Sequence, residues 1–220
     1  NNFGTGVLPA NPVPHTQTVS ALRVHFRNWV MKETPPPPSR YPTLAKGQLA
    51  EANKAAIGFP TLPGLRASVP EPYFIMPVHD YDWGPQFNAL DGSGIASLAP
   101  PRIKQSLKML APKVDADGNE VGGVPVVLLG APLGTYLGWN VAAGGFHKDQ
   151  ICYYAGGMIP FARNLEQRRA SGDPRPSLEE RYGSHDAYVA AVEKAAAQAV
   201  AEGFLLQEDA AALIAEAEKS

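Results

Sequence analysis

One cysteine in 220 residues excludes an internal disulfide and a cysteine-based structural zinc site. Cys152 alone is compatible with any redox compartment. Long apolar runs are missing as well: nothing approaches the ~20 residues that span a bilayer. Charge of one sign is also lacking. With 19 basic and 21 acidic residues the net charge is −2, which gives no basic field for nucleic acid and no polybasic patch for a membrane surface. The opening Asn1-Asn2-Phe3-Gly4 has neither an initiator Met nor a signal-peptide pattern, and reads as a mature or cut end.

Punctuating residues are abundant instead. The 22 prolines and 21 glycines limit long helices wherever they cluster, so extended segments and structured loops are expected there. The first clear element is a helix from about Thr16 to Lys32, on which Val19, Leu22, Phe26, Trp29 and Val30 recur at three- and four-residue steps. Pro12 and Pro14 precede it and Pro35 to Pro38 stop it. Its apolar face needs a partner, and the residues before it offer none. The run Pro35-Pro36-Pro37-Pro38-Ser39-Arg40-Tyr41-Pro42 reads as a stiff spacer, with docking to a proline-binding module as the other reading.

From Leu44 to about Gly130 the pattern is short and β-like. Tyr73-Phe74-Ile75-Met76 reads as a brief strand stopped by Pro77. Ala111–Val114 and Val121–Leu129 read as hairpin arms around Asp117-Gly118, with Pro125 marking the second as an edge or bulged strand. Ala131 to Asn140, with Gly144-Gly145-Phe146 after it, reads as an irregular loop bearing aromatic residues. The end is helical: Ser177 and Glu180 make a capping box for a helix through Arg181. Ser184 caps a helix from His185 to Ala201 with Tyr188, Val192, Ala196 and Val200 inward, Gly203 ends it, and Glu208–Lys219 completes a helical hairpin.

No complete catalytic set follows from these residues. Gly92-Ser93-Gly94 lacks the strand, tight turn and helix that a nucleophile elbow requires, and reads as a loop. His79 beside Asp80 and Asp82 has no second histidine at metal-ligand spacing. His147 and Cys152 flank Asp149, but nucleophile pairs of this kind come together from distant sequence, so a structural Cys152 is preferred. Asp115-Ala116-Asp117-Gly118-Asn119-Glu120 has its glycine at the fourth position, where a calcium loop has it at the sixth, and a hairpin turn explains it. No cofactor motif is present.

Three stretches resemble a bacterial family of alpha/beta hydrolase domain proteins. They are Trp29-Val30 through Pro35–Pro42, Val114–Asn119 with Pro132-Leu133-Gly134-Thr135-Tyr136-Leu137-Gly138-Trp139-Asn140, and Ile159–Ala162 with Gly172–Tyr182. The resemblance runs over nearly the whole chain. It implies an α/β class, with this chain as the C-terminal part of an α/β-hydrolase fold: residues 1–34 the last core helix, 35–150 an irregular Pro/Gly-rich extension with short strands, 151–220 the helical end. In such proteins the serine elbow and the catalytic histidine precede the region matched here, so the resemblance implies no catalytic residue within this chain. It further implies a secreted or periplasmic serine hydrolase acting on a small ester or amide, no cofactor, and an upstream hydrolase core of the same protein as partner. Tyr136, Trp139 and Asn140 are the candidate substrate-binding residues, with plain burial as the competing reading. The alternative class is a non-catalytic accessory or binding module.

Overall fold

The computed structural model describes residues 6–65, 76–94, 97–152 and 156–220. Helix α1 (Thr16–Lys32) occupies the expected span. It ends on Glu33 in the left-handed conformation, whose N–H donates to the Trp29 carbonyl at 3.0 Å, immediately before the prolines. Only Ala21 of α1 is buried. Its apolar stripe stays open, with Phe26 62%, Trp29 52% and Met31 75% exposed.

The proline segment that follows is more than a spacer. It folds back so that Pro37 lies against Gly203, and Arg40 pairs with Glu202 at 2.5 Å. Beyond it come β1 (Leu49–Glu51), α2 (Lys54–Ile57), β2 (Met76–Asp80), β3 (Arg102–Leu107) and β4 (Leu110–Pro112). β1 pairs with β4 and β2 with β3, both antiparallel, and β3 is exposed at every position. Residues 73–75 of the expected first strand lie outside the described residues. Pro77 does not stop a strand there: it sits within β2 opposite Ser106, a place open to proline because the ribbon has only two strands and each is an edge.

The Asp117-Gly118 turn forms as expected, with Gly118 at φ +81° and Val114 bridged to Glu120. Its second arm does not run on as a strand to Leu129. Past Gly122, Gly123 and Pro125 the chain turns into the one-turn helix α3 (Val127–Gly130), which buries Val127 and Ala131 against the C-terminal helices. Apolar burial outweighs the β-branched preference of the Val-rich run.

The segment 131–140 is not an irregular loop either. It contains β5 (Gly134–Leu137) and the start of β6 (Asn140–Val141). β5 pairs antiparallel with β8 (Gly157–Pro160), and β6 with β7 (Ile151–Cys152). The N-terminal residues lace these pairs together: Val7 N–H donates to the Val141 carbonyl at 2.8 Å, and the Pro9 carbonyl accepts from Met158 N–H at 2.9 Å. Pro9 enters the ladder through its carbonyl alone, which is why proline is tolerated there. All named strands pair antiparallel, two at a time.

After β8 come α4 (Leu165–Ser171), α5 (Leu178–Tyr182), α6 (His185–Ala201) and α7 (Gln207–Ala217). The last three match the expected helices within ordinary end drift. Gly203 at φ +81° closes α6, with its own N–H on the Val200 carbonyl and that of Phe204 on the Ala199 carbonyl. Val192, Ala196, Ala199, Leu205, Ala210 and Ala217 form the larger core with α3. Small residues allow the close approach: a Cβ on Gly130 would stand 2.6 Å from the Ala195 Cβ. A second core joins Leu62, Leu137 and Ile159, with Leu8, Phe59, Leu65 and Trp139 packed on it.

Candidate functional site

Between the two cores lies a buried polar knot. Asp173-Pro174-Arg175-Pro176 forms a turn in which Asp173 Oδ1 accepts from Arg175 N–H at 3.0 Å. The flanking prolines hold the turn rigid. Arg175, 1% exposed, uses all five guanidinium donors. Nε and Nη2 grip the Asp173 carboxylate at 2.9 and 2.6 Å. Nη1 donates to Thr135 Oγ1 at 2.7 Å and the Ile159 carbonyl at 2.9 Å, and Nη2 also donates to the Pro160 carbonyl at 3.1 Å. Burial pushes the Asp173 carboxyl up, but the hydrogen bonds from Arg175 outweigh it and hold it below its ordinary value.

The Asp115–Asn119 turn is tied to the same knot. Thr135 Oγ1 donates to the Asp117 carbonyl. Asn119, 2% exposed, accepts from Tyr136 N–H at 2.8 Å and donates to the Gly134 carbonyl at 3.1 Å, so its amide acts as a neighbouring strand for β5. Arg181 reaches Asp117 at 2.5 Å, and both guanidiniums lie over the Phe161 ring, 4.5 Å from its centroid for Arg181 and 5.0 Å for Arg175. With all five guanidinium donors of Arg175 and the amide oxygen of Asn119 engaged inside the protein, the knot is a clamp.

The capping box of α5 adjoins it. Glu180 Oε2 accepts from Ser177 N–H at 2.9 Å and from Ser177 Oγ at 2.7 Å, while Arg168 Nη2 donates to Oε1 at 3.0 Å. The backbone hydrogen bond from Ser177 leads in pulling the Glu180 carboxyl down to about 2. A folded-state value below the unfolded one means stability that is present above about pH 4.5 and lost as pH falls toward 2. Denaturant unfolding of wild type and Glu180→Gln should therefore differ at pH 7 and converge at pH 2. An unchanging difference across that range would refute the assignment.

Beside the knot opens a cleft of about 410 Å³ between α5, α6 and the segment before β5, lined by Leu133, Leu178, Tyr182 and Tyr188. The Tyr182 and Tyr188 rings meet edge to face at 5.2 Å. Tyr182 donates to the Pro132 carbonyl at 2.8 Å, and burial pushes its hydroxyl up to about 12. Burial likewise raises Tyr188 and Tyr136. His185 Nε2 lies 3.0 Å from the Ala217 carbonyl, which places the proton on that nitrogen. Arg163 and Glu179 stand at the rim, joined through their backbones by Glu179 N–H on the Arg163 carbonyl at 3.1 Å.

The three sequence-derived candidates occupy different surroundings. Asn140, 2% exposed, spends its amide on the N-terminal segment, accepting from Leu8 N–H at 3.1 Å and donating to the Leu8 carbonyl at 3.0 Å. Trp139 packs on the Leu137–Ile159 core. Tyr136 points from the other face of β5, takes a hydrogen bond from Leu133 N–H at 3.0 Å, and neighbours Tyr182 and Tyr188. None of the three is among the residues lining the cleft; Tyr136 is joined to it through Leu133, whose N–H it accepts. The cleft was missed from sequence because Leu133, Tyr182 and Tyr188 belong to three separate elements.

The remaining candidates stay apart. Ser93 N–H folds onto Asp91 Oδ1 at 2.9 Å in a turn, and His79 Nδ1 faces the Tyr81 hydroxyl at 3.2 Å. His147 bonds Gln150, and Ser177 and Ser184 serve as helix caps. Among the described residues no histidine is hydrogen-bonded to a serine or to Cys152, and no three His, Cys, Asp or Glu side chains gather to hold a metal ion. No helix among them is long and apolar enough to cross a membrane.

Comparison with protein-family models decides the affiliation. The alpha/beta hydrolase domain model matches residues 2–215. The chain belongs to the alpha/beta hydrolase domain family. This agrees with the mixed helix-and-strand architecture of the protein and makes a hydrolase-like function the coarse conclusion. Neither a curated protein nor a solved structure matches the chain. In this hydrolase-family chain the Asp173–Arg175 knot and the α5 capping box lie within the matched residues and serve as folding devices.

Proposed function

We propose that this hydrolase-family chain forms scaffold and pocket wall for a serine hydrolase acting on ester or amide bonds. The nucleophilic serine and its histidine base come from a hydrolase core outside the residues of this chain. The observation that carries the reading is α1: an amphipathic helix with Phe26, Trp29, Val30 and Met31 more than half exposed requires an apolar surface to cover it. Among the described residues the serines and histidines lie apart, which supports the same view, since a triad needs nucleophile, base and orienting carboxylate within hydrogen-bond reach.

Two measurements test it. The 220-residue chain should not turn over nitrophenyl esters, and turnover abolished by Ser93→Ala would overturn the proposal. Joined to the core, Trp29 should move out of water, shifting its fluorescence to the blue relative to the chain alone. The second reading, an accessory or binding module without catalysis, is favoured by the two cores and the buried knot, which give the chain internal cohesion of its own. A protein that binds ligand in the cleft but shows no turnover with its core attached would establish that reading.

A further inference from the structure

We infer that the cleft beside α5 and α6 selects an aromatic amide over the corresponding ester. The substrate-class part of this inference rests on the hydrolase proposal above; the binding preference does not. Leu133, Leu178, Tyr182 and Tyr188 form an apolar, aromatic floor, and the volume of about 410 Å³ falls within the range of small-ligand pockets. Such a floor suits a single aryl ring stacked or edge-on against Tyr188.

The rim supplies the discrimination. Arg163 can only donate hydrogen bonds, and the Glu179 carboxylate can only accept them. Both line the same cleft, yet neither side chain has a hydrogen bond or ion pair among the described residues. Their backbones are tied together, which brings the two positions side by side on the rim. A carboxamide is the complement of this pair: its carbonyl accepts from Arg163 while its N–H donates to Glu179. An ester carries acceptors alone, so one of its oxygens faces the Glu179 carboxylate with no proton between them. A free carboxylate meets the same repulsion, and an amine meets Arg163.

The probes are benzamide and methyl benzoate, which share the ring and differ in the group presented to the rim. Titrated into the chain by calorimetry, with saturation-transfer NMR to place the ring against the tyrosines, benzamide should bind on the order of tenfold more tightly, the value of one charge-assisted hydrogen bond in place of a repulsive contact. Glu179→Gln, which offers a donor as well as an acceptor, should bring the two probes to similar affinity. Arg163→Met should weaken both. Equal affinities in the unaltered chain, or a benzamide preference that survives Glu179→Gln, would overturn the inference, as would no saturable binding of either probe. Both positions are exposed, and circular dichroism verifies that the variants keep the fold. Selective binding without amide turnover by the core-joined enzyme would defeat the hydrolase proposal and leave the cleft's preference standing.

Discussion

Replacing Arg175 with methionine should be the most damaging single substitution in the protein, at about 3–5 kcal/mol. The change leaves the Asp173 carboxylate, 5% exposed, without its cation, and strips donors from Thr135 Oγ1 and from the carbonyls of Ile159 and Pro160. For a chain of this length the loss corresponds to a fall of roughly 6–20 °C in melting temperature. Arg175→Lys keeps the charge but offers three donors in place of a planar fork of five, so an intermediate loss is expected. Removing both ends of the pair, as Asp173→Leu with Arg175→Met, should recover part of the stability because no buried charge is left alone. Thermal and urea unfolding of the four proteins checks this. An Arg175→Met variant within about 1 kcal/mol of wild type would mean that the guanidinium is solvated and that the clamp is not formed in solution.

The second large effect concerns Asn119. Asn119→Ala orphans Tyr136 N–H and the Gly134 carbonyl, both turned toward a buried site, and should cost about 2 kcal/mol. Asn119→Asp is more informative. It keeps the acceptor for Tyr136 but sets a carboxylate oxygen against the Gly134 carbonyl, where the native amide donated. Burial and that opposed oxygen push the new carboxyl's folded-state value above its unfolded one. The sign then follows: relative to wild type, Asn119→Asp is least impaired below about pH 4, where the group is protonated in both states, and most impaired at neutral pH. The Glu180→Gln deficit develops between about pH 2 and 4.5 and this one only above about pH 4, so the two effects separate by their windows in a pH series of unfolding curves. A deficit for Asn119→Asp that does not grow with pH would show that its side chain has turned to solvent.

These two residues mark what could and could not be read from the sequence. The helices α1, α5, α6 and α7 were legible because period and punctuation coincide: Ser177 with Glu180, Ser184 before His185, and Gly203 after the last turn each fix an end by local hydrogen bonding. The Asp117-Gly118 turn was legible for the same reason. Strand β5 was not, because its stability comes from partners far along the chain. Asn119 and Arg175 supply hydrogen bonds that a glycine- and proline-rich stretch cannot announce by alternation. The one-turn helix at Val127 was hidden by β-branched residues whose burial against α6 decides their conformation. Of the three residues picked from their aromatic context, Tyr136 takes a hydrogen bond from Leu133 of the cleft wall, whereas Trp139 packs on the second core and Asn140 holds the N-terminal segment. Asp173-Pro174-Arg175-Pro176 held a signal that could have been used: a charged pair at spacing two, boxed in by prolines, is a rigid presentation of opposite charges to each other. The family resemblance reached the correct affiliation.

The proline strap after α1 has a consequence of its own. Pro35 to Pro38 carry no amide proton, and the strap meets the end of α6 through the Pro37–Gly203 contact and the Arg40–Glu202 pair. An ordinary residue gives up about 1–2 kcal/mol of backbone freedom when it is fixed. A proline has surrendered much of that freedom before folding begins, because its ring already fixes φ. The strap is thus kept in place by an unfolded state with few alternatives to offer, and weak contacts suffice to tether the exposed helix α1 to the C-terminal pair.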